Sequence, residues 1–144
     1  MAQEILLQAA KGKTVTHKMK HDVESFIWVF CYCVMRNLYV QASQHKDRAV
    51  QAERKSFRDI FSGAFSQAKL DEIALARVWA SPALDFIRFE RVGSIIEKFM
   101  SQTLVDFFEA LQVLVDRTQG LSSTVDLTHE LLLEEINKAI TSLA

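Results

Sequence analysis

The sequence predicts an all-α fold, a single helical domain of five or six helices around a central apolar helix at about 22–44. Three observations predict it. The 144 residues include four Gly and one Pro, too few breakers for a sheet joined by tight turns. Ten consecutive residues, 26–35, are apolar (Phe-Ile-Trp-Val-Phe-Cys-Tyr-Cys-Val-Met). A helix apolar all round is one enclosed by other helices. Farther on, apolar residues recur every three or four positions. With 49% hydrophobic and 24% charged residues, the chain can bury a core and lacks the composition of disorder.

Each element follows from its local pattern. Residues 2–10 predict a short helix, and 11–20 form a polar, Lys-rich connection. Asp22 is a good N-cap residue, so the central helix is expected to begin there. Residues 47–61 mix charges with Val50, Phe57, Ile60 and Phe61, and Ser62-Gly63 supplies a stop. A helix at 67–79 carries Leu70, Ile73, Ala74 and Trp79 near one side, and Ala80-Ser81-Pro82 breaks it. From 83 to Gly120, Phe86, Phe89, Val92, Ile96, Phe99, Leu104, Phe108, Leu111 and Val115 keep helical spacing. That pattern predicts one long helix, bent near Gly93. A last helix at 131–143 has Asp126 or Thr128 as its N-cap. There is no internal repeat and no linker that would divide the chain.

Net charge is −1, unevenly distributed. Residues 1–58 hold ten Lys/Arg against five Asp/Glu, and 59–144 hold seven against thirteen. No basic run resembles a nucleic-acid arm, so the asymmetry reads as two mutually attractive faces of one fold and no nucleic-acid partner is expected. Cys31 and Cys33 are two apart, which turns them to nearly opposite sides of a helix. Both read as small buried hydrophobes, without a disulfide framework, and this fits a reducing intracellular compartment. The N-terminus lacks the basic and apolar regions of a signal peptide. The 26–35 run is shorter than the ~20 apolar residues of a membrane span, so no membrane association is expected.

Several groupings invite a chemical reading. Gly12-Lys13-Thr14 resembles the end of a phosphate-binding loop, but its first glycine would fall at Leu7 and the preceding segment is helical where a strand is required. His17 and His21 stand four apart without a third ligand nearby, and read as surface or capping residues. His45 and His129 read as solvent-facing. Glu130, Glu134 and Glu135 read as the wet face of the last helix. No nucleophile elbow occurs, and neither Cys lies in an electropositive pocket. The aromatic residues fall at core spacing and do not interleave with basic residues as stacking platforms would. No cofactor, metal or nucleotide is expected.

Met1-Ala2-Gln3-Glu4-Ile5-Leu6-Leu7, a connector, and then His21-Asp22-Val23-Glu24-Ser25-Phe26 with its aromatic helix resemble the fungal-type protein kinase family. In that family a Met-Ala-x-Glu-Leu-like segment stands for the Ala-Pro-Glu motif, and a His-Asp-Leu-Glu-Ser-Phe block opens helix F of the C-lobe. Here Gln3 replaces Pro and Val23 replaces Leu. The resemblance covers residues 1–40, weakens through 57–79 and is lost after Leu84. It marks Glu4, Asp22 and Ser25 as structural positions. Glu4 matches the glutamate of a C-lobe ion pair, and Asp22 matches the aspartate that holds the catalytic loop. The glycine-rich loop, catalytic Asp and Mg²⁺-binding Asp of a kinase all precede this segment. The resemblance therefore implies a catalytically incomplete, non-enzymatic C-lobe fragment. It also implies that part of the 26–35 surface has lost its cover, which the chain's own last helices, a second copy or another protein would restore.

Overall fold

The computed structural model describes residues 3–14, 18–66, 72, 84–119 and 125–143. These are all-helical: α1 (Gln3–Ala10), α2 (Met19–Gln44), α3 (Arg48–Phe65), α4 (Gly93–Phe99), α5 (Gln102–Gln119) and α6 (His129–Ser142). Two 3₁₀ turns, Phe86–Arg88 and Glu90–Val92, lead into α4. The helix expected at 67–79, the Ala80-Ser81-Pro82 break and the Gly120 stop lie outside the described residues, Glu72 excepted.

α1 ends in a glycine-dependent cap. Gly12 takes φ +65°. Its N–H donates to Ala9 O at 3.0 Å, and Lys13 N–H donates to Gln8 O at 3.0 Å. This paired 5→2 and 6→1 arrangement is the Schellman motif. Gly12-Lys13 is thus a helix terminus whose amides are occupied by α1 carbonyls, and not a phosphate loop.

α2 begins earlier than Asp22. Its N-cap is Lys18, whose N–H donates to His21 Nδ1 at 3.1 Å, while His21 N–H donates to Lys18 O at 2.9 Å. The imidazole takes the part that a Glu or Gln at the third helical position takes in a capping box, accepting the N–H of the N-cap residue. His21 is consequently 1% exposed and is no surface residue. Asp22 is an exposed first-turn acid, placed where the helix dipole favours negative charge. The expectation that it is the N-cap is corrected.

α2 is the hub. It packs against α1, α3, α4 and α6, and its Phe30 meets Phe107 and Phe108 of α5 at ring separations of 5.4 and 5.5 Å. Glu24, Trp28, Cys31, Met35, Leu38 and Ala42 are all buried. They step 4-3-4-3-4 along one side, the spacing of a helix seam. A chain of perpendicular rings crosses the core from α3 to α5: Phe57 meets Phe86 at 5.8 Å, and Phe86 meets Phe108 at 5.3 Å. Edge-to-face pairing of this kind adds about 0.5–1.5 kcal/mol beyond the area buried.

α3 is capped by Asp47, whose carboxylate accepts from Ala49 N–H at 2.9 Å and Val50 N–H at 3.5 Å. It runs through Ser62-Gly63 to Phe65, so the expected stop is absent. Phe61 and Phe65 hold the extra turn against Tyr32 at 5.7 and 5.4 Å, and Phe65 also meets Trp28 at 6.3 Å. Ring packing outweighs the ~1 kcal/mol helix penalty of one glycine.

The long helix expected over 83–120 is broken twice. Glu53 lies in α3's inward row with Val50, Phe57, Ile60 and Ala64, and its carboxylate accepts from Ser94 N–H at 3.1 Å, Ser94 Oγ at 2.7 Å and Ile95 N–H at 3.1 Å. It fixes the start of α4. A second break at Met100 lets Ser101 restart the chain, with Leu104 N–H donating to Ser101 Oγ at 3.2 Å. α6 starts at Thr128, one of the two expected caps, whose Oγ1 accepts from Leu131 N–H at 3.4 Å.

Candidate functional site

The enclosure expected of α2 fails along one side. Asp22, Phe26, Val29, Cys33, Arg36 and Val40 are all exposed. They too step 4-3-4-3-4, displaced by two residues from the buried row. Two residues turn a helix by about 200°, so this outer row lies opposite the seam that packs the core. Phe26 is 53% exposed, Val29 59% and Val40 41%. Met19 (52%) and Tyr32 (40%) flank them. The apolar run 26–35 therefore serves two faces, one packed and one open.

The cysteines divide between these faces. Cys31 is fully buried, and burial pushes its thiol up to about 12. Cys33 lies exposed in the outer row, so the expectation that both are buried is corrected. Ser25 is half-buried on the flank of α2. Glu4 is in the first turn of α1, but its side chain lies outside the described residues, as does His17. The structure brings Asp22 and Ser25 together only as neighbours on α2.

The remaining sequence candidates are structural. His45 is half-buried rather than solvent-facing. It closes α2, accepts Asp47 N–H on Nδ1 at 3.1 Å and sets its ring edge-on to Phe99 at 5.3 Å. His129 and Glu130 are exposed. Glu134 and Glu135 each hold Lys138 at 2.8 Å. The lysine's hydrogen bond keeps the Glu134 carboxyl below its usual range, and the two carboxylates raise Lys138. Among the described residues, no three His, Cys, Asp or Glu side chains converge to hold a metal ion.

Two shallow grooves of about 260 Å³ accompany these groups. One lies between α5 and α6, beside Phe107 and Lys138, and the other lies over α3, beside Tyr39 and Arg54. Arg54 is already turned to Gln51 Oε1 at 3.2 Å. Neither groove gathers the side chains of the outer row.

By length and composition α2 is also long and apolar enough to cross a membrane, which the ten-residue apolar run had argued against. Of its most apolar stretch, 39% is buried inside the fold. A core helix passes the same test.

Sequence reasoning missed Met19, Arg36 and Val40 as members of the open face, and Glu53 as the anchor of α4. The sequence holds two interleaved 4-3 spacings in α2 without marking which one is open, and an acid within the apolar row of α3 without marking its partner. No protein-family model, curated protein or solved structure matches the chain.

Proposed function

We propose that this chain is a non-enzymatic helical interaction module whose docking surface is the outer face of α2. The observation that supports it most strongly is the exposed row Phe26, Val29 and Cys33, continued past Arg36 by Val40, on the helix that organises the core. Scattered apolar residues are ordinary on a surface, but apolar residues in register along one helix face mark a contact site. Covering one large apolar side chain contributes roughly 1.5–3 kcal/mol. Several in register supply the driving force for association.

The test is binding of an environment-sensitive hydrophobic dye together with solution mass, for the native chain and for Val29→Glu. A docking face gives either dye binding or self-association in the native chain, and loss of both in a variant with an unchanged far-UV spectrum. A native chain that shows neither contradicts the proposal.

A second reading draws on the same row. In kinase C-lobes the helix opened by the His-Asp-Leu-Glu-Ser-Phe block is partly covered by the catalytic loop and the preceding helix. An open outer face on α2 suits a C-lobe-like unit without those elements, catalytically incomplete and without a nucleotide site. Calorimetry with Mg-ATP is expected to show no heat of binding, and saturable binding would contradict this reading.

A further inference from the structure

The docking reading leaves the occupant of the α2 face open. We infer that it is a second copy of this chain, with the two α2 helices paired antiparallel about a two-fold axis between Val29 and Cys33. This rests on the docking reading above and goes further by naming the partner.

The outer row reads acid, apolar, apolar, apolar, base, apolar: Asp22, Phe26, Val29, Cys33, Arg36, Val40. All six are exposed. Their 4-3-4-3-4 spacing matches the narrow seam along which two helices pack at a small crossing angle. The row spans eighteen steps, roughly 27 Å at 1.5 Å per residue. That length suits a helix laid along it better than a small ligand.

The order of charges selects the partner and its direction. With the axis between Val29 and Cys33, Val29 of each copy faces Cys33 of the other, Phe26 faces Arg36, and Asp22 faces Val40. Asp22 and Phe26 are one turn apart. The guanidinium of Arg36 in the second copy therefore lies over the Phe26 ring and within reach of the Asp22 carboxylate. Symmetry makes each such contact twice, as an isologous interface requires. A parallel pair would instead set Asp22 against Asp22 and Arg36 against Arg36. The acid and base of the row thus come within reach of each other, and Val29 meets Cys33, when the row is reversed on itself, a match that an arbitrary partner would have no reason to make.

The same two charges disfavour lipid as the occupant. An Asp or Arg at the centre of a membrane-spanning helix costs about 2.5–3.5 kcal/mol each on insertion scales. Arg36 stands well inside α2 and Asp22 in its first turn, both on the face that the fold leaves exposed.

Sedimentation equilibrium over a concentration series tests the inference, with Asp22→Arg, Arg36→Asp, the double reversal and Val29→Glu beside the native chain. The native chain is expected to form a dimer, and Val29→Glu a monomer. Each single reversal weakens the dimer about tenfold, equivalent to about 1.4 kcal/mol, and the double reversal restores it. That rescue separates pairing from misfolding, since two folding defects do not cancel. A dimer indifferent to all four variants overturns the inference, as does a native chain that stays monomeric. If that monomer binds a hydrophobic dye and Val29→Glu does not, only the second copy is lost and the docking reading stands. If the monomer binds no dye, both fall. Flotation of the native chain with neutral phosphatidylcholine vesicles, abolished by Val29→Glu, also overturns both in favour of a lipid surface.

Discussion

Gly12 shows how single residues set this fold, because its φ of +65° is one that a Cβ penalises. No atom lies within 4 Å of a Cβ built there, so strain alone decides the outcome. Gly12→Ala is expected to destabilise the protein by about 1–2 kcal/mol in urea unfolding. Glu53 is a stronger anchor, since one carboxylate holds both α4 amides and the Ser94 hydroxyl. Glu53→Ala should cost about 1.5–3 kcal/mol, the range for hydrogen bonds to a charged group, and Glu53→Gln should cost less. The amides of Ala49 and Val50 hold Asp47 below the usual aspartate range. A depressed folded value means that its capping contribution is complete above the unfolded aspartate pKa and is lost as pH falls through the lower folded one. Asp47→Asn should therefore flatten the acid limb of a stability profile. The thiols divide just as cleanly. Cys31, buried with its thiol pushed up to about 12, should resist maleimide at neutral pH, whereas Cys33, exposed in the single chain, reacts in dilute protein. Two fast-labelling thiols per folded chain would contradict the assignment of faces. The opposed Cys directions were legible from a two-residue spacing. Glu53 was not, because an acid's tertiary partner 41 residues away leaves no local trace.

At the scale of elements, α2 carries two apolar rows two residues out of phase. The central helix was legible because ten apolar residues in succession allow little else. Which side would be open was not legible, because a run apolar on every side has no polar stripe to orient it. Its start was misplaced for a related reason: a histidine cap sends the usual Asp or Ser signal one turn astray. The long helix expected from 83 to Gly120 failed where periodicity is blind. Helical spacing continues across Met100-Ser101, yet Ser101 caps a new helix there. α3 outlasted its predicted stop because Gly63 has open space around its Cα and neighbouring rings to hold the turn. Gly63→Ala should accordingly stabilise the protein by about 0.5–1 kcal/mol, read from the urea midpoint. A loss of stability would mean that the turn depends on a conformation only glycine adopts.

At the scale of the whole molecule, the described helices gather on a hub that keeps one side open. The all-α class was legible in composition and spacing, whereas composition and spacing alone gave no sign of an uncovered hub surface. The open row itself stands independently, on exposure and register. It assigns opposite outcomes to the two cysteines, two residues apart, and this gives the most direct test. Cys33, which faces Val29 of the other copy beside the proposed two-fold axis, should take maleimide quickly in dilute native protein and slowly at concentrations where the dimer forms, while Val29→Glu labels quickly at every concentration. If Cys33 of the native chain labels at one fast rate throughout the series, the outer face of α2 is not where two copies meet.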